Sequence, residues 1–133
     1  MSQENVELAY RAAGAFNRRD LEAFLALCDP DLEFYSRLAA VEGGGPYQGH
    51  DGIRTWWENL RGAWRDFSLG VQEVRDLGDV TLTYLRLRGH GMDSDAPWEQ
   101  AQWQIVEWRN EKAIRWQIFL SEAEALEAAG LRD

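Results

Sequence analysis

Cysteine, lysine and histidine are scarce in this chain of 133 residues, which has one cysteine, one lysine and two histidines. Because Cys28 is alone, no intramolecular disulfide can form, and a reducing compartment, the cytoplasm, is expected. The two histidines and the scattered acids lack the spacing of metal ligands, so no metal site is predicted. Arginine replaces lysine at every basic position except Lys112, a bias typical of high-GC bacterial genomes.

Long apolar runs are missing as well. No stretch approaches the roughly 18 apolar residues of a membrane span, and the polar, acidic start Met1–Asn5 does not resemble a signal peptide. The net charge of −9 argues against nucleic acid and anionic membranes as partners, because both attract basic surfaces. The glycine run 43–45 lacks the Lys-Ser/Thr of a phosphate loop, and no cofactor is predicted.

Aromatic residues are plentiful, with seven tryptophans and an aromatic fraction of 12%. Together with a hydrophobic fraction of 45%, they are enough for one domain, residues 1–133, with a sizeable core. Such a count supports either a large packed core or a cavity with aromatic walls.

Periodicity predicts the order of helices and strands. Apolar residues recur at helical spacing in four segments, most clearly in the third, and they alternate at strand spacing in five. A slip of the alternation near Gln72-Glu73 predicts a bulge, and Asn110-Glu111 predicts a tight turn. The helices cover about residues 2–17, 20–28, 51–64 and 121–130, and the strands about 32–36, 67–74, 80–88, 98–108 and 113–120.

This order, α-α-β-α-β-β-β-β-α, puts consecutive antiparallel hairpins after three helices and predicts an α+β domain. We expect a cone-shaped molecule in which a strongly bent antiparallel sheet wraps around a long helix. Such a sheet leaves a cavity between itself and the helix, and that cavity is where a ligand would bind.

Three segments carry a family resemblance: Tyr47-Gln48-Gly49-His50-Asp51-Gly52-Ile53, the turn Arg109-Asn110-Glu111-Lys112, and the ending Glu124–Leu131. With the element order, they resemble the nuclear transport factor 2-like superfamily and, within it, the SnoaL-like group, over about residues 4–131. That superfamily includes ketosteroid isomerase, limonene epoxide hydrolase, polyketide cyclases, dehydratases and members that only bind or dimerise. The resemblance therefore implies the fold but not one function.

Two departures from the family pattern matter here. The catalytic acid of the cyclase and epoxide-hydrolase members would fall at Ile118, and isoleucine can neither accept nor donate a proton. The group usually has Asp-Gly at the last hairpin, where this chain has Asn110-Glu111, and glutamate tolerates a left-handed backbone poorly. The resemblance also implies a homodimer formed through the open face of the sheet.

The candidate site depends on which face of each strand points inward. On the last strand the more apolar face, which includes Trp116, is assigned to the interior. On the strand before it the face of Ala101, Trp103 and Ile105 is favoured, which would leave the glutamines on the open face. The reverse phase would make Gln102 and Gln104 the hydrogen-bonding groups of the pocket. The predicted ligand-binding walls are Phe16, Phe34, Trp57, Trp103 and Trp116.

On the middle strand, about residues 80–88, the residue pattern does not decide which face points inward. The best polar pair for a pocket on this strand is Tyr84 and Arg86. As catalytic residues, these two would polarise a ligand oxygen. His90, between two glycines, is a further candidate base at the pocket mouth.

Two functions remain open from the sequence. The first is a small-molecule-binding protein for a lipophilic ligand, with acid-base chemistry on a ring compound, such as isomerisation, cyclisation or hydration, if it is an enzyme. The second is a non-catalytic binding or dimerisation module whose pocket is filled by its own aromatic side chains.

Overall fold

The computed structural model describes residues 3–35, 46–93 and 95–130. Within these ranges the chain forms helices on one side of a curved sheet, with a short last helix on the other. The elements in chain order are α1 (Gln3–Asn17), α2 (Leu21–Leu25), β1 (Cys28–Tyr35), β2 (Tyr47–Gln48), α3 (Gly49–Ala63), β3 (Trp64–Asp76), β4 (Val80–Gly91), β5 (Pro97–Arg109), β6 (Lys112–Phe119) and α4 (Glu122–Ala128).

The strands form one sheet in the order β2-β1-β6-β5-β4-β3. Successive hairpins make β3, β4, β5 and β6 antiparallel, as predicted. One pairing departs from the antiparallel pattern of the sheet, because β1 pairs with β6 in parallel. Parallel neighbours need a long crossover connection, and α3 with the hairpins that follow it provides one. The α+β class and the curved, cone-like sheet are confirmed.

Bulges bend the long strand β3 around the helices. Its pairing with β4 shifts between Trp64 and Asp66 and again between Val71 and Glu73. The second shift lies at the predicted bulge, where the alternation of apolar residues slips. An extra residue in one strand increases the local twist and bend, so β3 can follow α1, which packs against its inner face.

Several boundaries differ from the sequence prediction. Cys28 begins β1 instead of ending the second helix, and β1 tolerates Pro30 because its pairing with β6 is irregular between Cys28 and Glu33. Tyr47–Gln48 forms a short strand where a loop was predicted, and β4 extends to Gly91. The predicted cap Ser2, the strand end Ser36 and the glycine run 43–45 lie outside the described residues.

Helix α4 packs on the outer face of the sheet. Its buried residue Ala125 forms a small apolar cluster with Leu82 of β4 and Ile105 of β5. The predicted cap is confirmed, since the Glu124 backbone N–H donates to the Ser121 hydroxyl oxygen over 3.2 Å. The outer face of the sheet therefore buries apolar side chains of its own.

The turn between β5 and β6 places two residues that are not glycine in the left-handed region. The φ angle is 53° at Asn110 and 65° at Glu111. Two consecutive positive φ angles are typical of the type I′ turn that matches the twist of a hairpin. Asparagine adopts this conformation readily, whereas glutamate does so at a cost of about 1–2 kcal/mol.

Replacing Glu111 with glycine is expected to stabilise the protein by about 0.5–1 kcal/mol, because relief of this strain exceeds the added entropy of the unfolded chain. Urea unfolding would measure the change. The matched control is Asn110→Gly, which should give a smaller gain because asparagine is already suited to the turn. Loss of stability in Glu111→Gly would contradict the argument.

Candidate functional site

A cavity lies between α1 and the inner face of the sheet, closed at one end by α2 and α3. The accessible volume left in it is about 40 Å³, roughly the space of three water molecules at about 10–15 Å³ each. Its lining residues are Ala9, Ala12, Ala13, Phe16, Phe24, Phe34, Trp56, Leu69, Val71, Thr83, Leu85, Leu87, Gln102, Gln104, Val106, Trp116 and Ile118.

The inward face of β5 is the reverse of the favoured prediction. Gln102 and Gln104 line the cavity with exposed fractions of 2% and 8%. Trp103, assigned to the cavity wall, lies on the outer face and stacks on Tyr84 with ring centroids 4.9 Å apart. The reverse phase left open for this strand is therefore the one observed.

The β5 prediction failed because both faces of the strand carry apolar side chains. The outer face has Trp103, with Ile105 buried under α4, and the inner face has Val106 and Trp108. Hydropathy alone therefore favours neither face. The residues that distinguish them are the glutamines, which can be buried only where hydrogen-bond partners exist.

Those partners form a continuous row along the inner face. The Trp116 indole Nε1–H donates to Gln104 Oε1 over 3.0 Å. The Gln104 amide donates to Gln102 Oε1 over 3.1 Å, and the Gln102 amide donates to Gln100 Oε1 over 2.7 Å. We call these four side chains the glutamine ladder. Positions i, i+2 and i+4 of a strand share one face, which brings the three amides into line.

Aromatic side chains occupy the end of the cavity beside α3. Phe34 of β1 contacts both Trp56, at 4.7 Å between ring centroids, and Trp116, at 5.8 Å. Phe16 of α1 packs on Trp57 at 5.8 Å. Three of the five predicted walls, Phe16, Phe34 and Trp116, thus line the cavity. Trp57 is buried behind it, and its neighbour Trp56 takes the place on the wall.

Tyr84 and Arg86 lie on the outer face of β4, away from the cavity. The Arg86 guanidinium donates to Glu99 Oε2 over 3.2 Å, and Arg88 donates to the same oxygen. The inner face of β4 carries Thr83 and a row of leucines instead. The placement of this pair in the pocket was therefore wrong, for the same reason as on β5.

The cavity wall contains no ionisable side chain among the residues that the structure describes. Ile118, where the resemblance places the acid of catalytic relatives, lies on this wall and is 3% exposed. It pairs directly with Gln104 across β5 and β6. The groups offered to a ligand are therefore amides, the Thr83 hydroxyl and aromatic surfaces, which form hydrogen bonds but do not exchange protons near neutral pH.

His90, the further candidate base, lies near the end of β4 on the outer face. Its Nδ1 is 3.0 Å from Asp66 Oδ1, and this hydrogen bond lowers the pKa of Asp66. Gly89 allows the close approach of the two strands here, because a Cβ at that position would lie 2.2 Å from the Asp66 carbonyl oxygen. The pair borders a surface groove, and neither residue lines the cavity.

Cys28 and His50 meet at the start of β1. His50 Nε2 is 2.8 Å from the Cys28 carbonyl oxygen, which accepts the hydrogen bond. The Cys28 thiol is buried and donates to the Phe24 carbonyl oxygen over 3.4 Å. Burial raises the pKa of the thiol from 9.0 to about 12, against a smaller opposing effect of Lys112. A thiol in this state is a poor nucleophile.

Within residues 3–35, 46–93 and 95–130, no group of three or more histidine, cysteine or acidic side chains is placed to hold a metal ion. In the same part of the chain, no helix combines the length and apolar character needed to cross a membrane.

Comparison with known proteins agrees with this architecture. The chain belongs to the SnoaL-like domain family, whose model matches residues 8–116. It therefore lies in the nuclear transport factor 2-like superfamily, as the sequence resemblance implied. None of the curated proteins compared with the chain is significantly similar to it.

Solved structures with the same fold cover nearly the whole chain. A nuclear transport factor 2-like protein from Burkholderia pseudomallei has a TM-score of 0.80 at 19% identity, covering 93% of this chain and 95% of its own. TerC, co-crystallized with polyporic acid, has a TM-score of 0.80 at 20% identity, covering 93% and 96%. A Catenulispora acidiphila protein with a ketosteroid isomerase-like fold, in complex with trimethylamine, has 0.76 at 18%, covering 95% and 94%.

The raised pKa of Cys28 predicts a loss of stability in alkali. The unfolded thiol ionises near pH 9, whereas the folded thiol stays protonated up to about pH 12. Its contribution is thus complete below pH 9 and is lost as the pH rises towards 12. From pH 8 to 10 the free energy of unfolding should fall by about 1 kcal/mol more in the native protein than in Cys28→Ala. Parallel pH profiles for the two proteins, measured by urea unfolding, would contradict this cause.

Proposed function

We propose that the chain binds a small, largely apolar molecule with one or two polar atoms in the cavity between α1 and the sheet. The observation that carries the proposal is a wall made of aromatic and aliphatic side chains, interrupted by one connected row of buried amides. Apolar pockets with few, well-placed polar groups are typical small-molecule sites.

Binding is favoured over proton-transfer catalysis by the same wall. General acid-base chemistry needs a group that titrates within reach of the ligand, and the described lining residues supply only amides, a hydroxyl and the indole N–H groups of two tryptophans. Tyr84 and Arg86, the catalytic pair expected from the sequence, face away from the cavity and are not part of this proposal. The cavity wall would act by holding and orienting its ligand.

The size of the cavity limits the ligand. An accessible volume of about 40 Å³ suits a molecule of a few heavy atoms, and a steroid-sized ring system would have to displace side chains of the wall. Two structural neighbours were crystallised with small molecules, TerC with polyporic acid and the Catenulispora protein with trimethylamine. These cases support small-molecule binding on this fold, and trimethylamine is closer in size to the present cavity than polyporic acid is.

The alternative is a non-catalytic module whose cavity is closed by its own side chains. It is favoured by the small free volume and by the aromatic contacts at the end near α3, where Phe16, Phe34 and Trp116 already pack on other rings. In that case the amide row would serve only to order the interior.

Tryptophan fluorescence against a panel of small ring compounds and amines distinguishes these functions, since Trp56 and Trp116 line the cavity. We expect saturable quenching by at least one compound class. Ala13→Leu, which adds bulk to the α1 wall, should weaken binding about tenfold or more. Ala128→Leu is the matched control, because Ala128 is exposed on α4. No saturable response across the panel would favour the closed module.

We also propose that two copies pair through the outer face of the sheet. The Tyr84–Trp103 stack and the ion pairs of Arg86 and Arg88 with Glu99 lie there beside α4. Partly buried aromatic rings bordered by charged side chains are typical of interface centres.

Light scattering during size-exclusion chromatography tests this pairing. Trp103→Glu should shift the native protein from a dimer to a monomer, because it removes the aromatic anchor and adds charge. Gln3→Glu makes the same charge change at an exposed position of α1 and should leave the mass unchanged. A monomeric native protein would refute the pairing.

A further inference from the structure

The glutamine ladder has a direction that its chemistry imposes. An indole N–H can only donate, so the Gln104 group that faces Trp116 at 3.0 Å must be the amide oxygen. Its NH₂ group then faces Gln102, which must present its own oxygen, and the same holds for Gln100 in turn. Trp116 therefore sets the orientation of every amide in the row, and the row cannot reverse while that indole bond exists.

This direction leaves hydrogen-bond donors unused at the cavity. Each amide NH₂ carries two hydrogens, and one hydrogen of Gln102 and one of Gln104 serve the ladder. Within the described ranges the second hydrogen of each forms no hydrogen bond, while each Oε1 already accepts one bond. Native proteins leave a buried N–H unpaired far less often than they leave an oxygen with one bond instead of two. The cavity wall therefore offers unpaired N–H donors, and a ligand with an acceptor atom would pair with them.

We propose that the ladder selects small apolar ligands that carry an acceptor oxygen with no attached hydrogen, such as a ketone or aldehyde carbonyl. Trp116 is the positioning residue for this selection, because it holds the Gln102 and Gln104 amides with their donors available to the ligand. The proposal rests on ligand binding in the cavity and names the class of ligand. Ile118 beside Gln104 is consistent with this recognition, since it offers the ligand contact without charge.

A pair of ligands of nearly equal shape tests the preference. Cyclopentanone and methylenecyclopentane differ in one group, a carbonyl oxygen against a CH₂ carbon, and both are small. Titrations of the ¹⁵N-labelled protein, followed by NMR through the indole N–H and side-chain amide signals, should show the ketone binding roughly tenfold more tightly, the effect of one net hydrogen bond. The Gln102 and Gln104 amide signals should shift with the ketone.

Two tryptophan variants test the positioning role. Trp116→Phe removes the indole N–H that orients the ladder, so the ketone preference should shrink towards parity while methylenecyclopentane binding is kept. Trp108→Phe is the matched control: its indole N–H is also buried but donates to Thr81 over 3.0 Å, outside the ladder. It should retain the tenfold preference. Gln104→Leu, which removes the donor itself, is the second variant should Trp116→Phe fail to fold.

The outcomes separate the two proposals. Equal affinities of the native protein for both ligands would overturn the selection for an acceptor and leave ligand binding standing. If neither ligand perturbs a cavity signal up to its solubility, binding in the cavity fails and the selection with it. A Trp116→Phe protein that keeps the full ketone preference would refute the positioning role of Trp116. If the variant binds both ligands more weakly by the same factor, the role of Trp116 is merely structural and the positioning role is refuted as well.

Discussion

The hydrogen bond from Trp116 to Gln104 determines which face of β5 points into the interior of this molecule. A glutamine amide moved from water into an apolar interior without partners costs several kcal/mol, and β5 brings two glutamines into the core. The indole N–H at 3.0 Å and the amide-to-amide bonds that follow it offset that cost. Because successive side chains of a strand alternate between faces, the inward position of these glutamines also determines which face each remaining residue of β5 occupies.

The inward position of the glutamines also determines which side chains lie on the outer face of the sheet. Once the glutamines point inward, Trp103 and Ile105 must point outward, and they would be exposed on a bare sheet. Helix α4 packs Ala125 against Ile105 and Leu82, and Tyr84 stacks on Trp103. The short C-terminal helix is therefore more than an appendage. It buries apolar residues that the inner face cannot hold.

The described wall of the cavity carries amides, a hydroxyl and aromatic rings. Where catalytic relatives are expected to carry an acid, this chain has Ile118, which lies on the cavity wall beside Gln104, its partner across β5 and β6. Arg86 of β4 is paired with Glu99 on the other face of the sheet. The described residues of this wall carry no charge and offer a ligand shape, aromatic surface and a few directional hydrogen bonds. The orientation of each amide is therefore the main chemical property of the wall.

The sequence by itself determined the elements, the fold class and the family. Helical and strand periods, the bulge near Gln72, the Ser121 cap and the turn at Asn110-Glu111 are local properties of the chain, and each is found in the structure. Because local patterns reflect local backbone preferences, they could be assigned without knowing what packs where. Local patterns did not predict two features that join segments distant in the chain. These are the parallel pairing of β1 with β6 and the short strand β2, which pairs with β1.

Only the tertiary structure decided the faces of β4 and β5, and with them most of the site. Both faces of these strands carry apolar residues, since α4 covers one and the helices cover the other. The alternation of apolar and polar residues therefore could not show whether Thr83 or Tyr84 points into the cavity, or whether Gln104 or Trp103 does. The deciding facts are a long-range hydrogen bond to Trp116 and the packing of a C-terminal helix, and both depend on contacts between residues far apart in the chain.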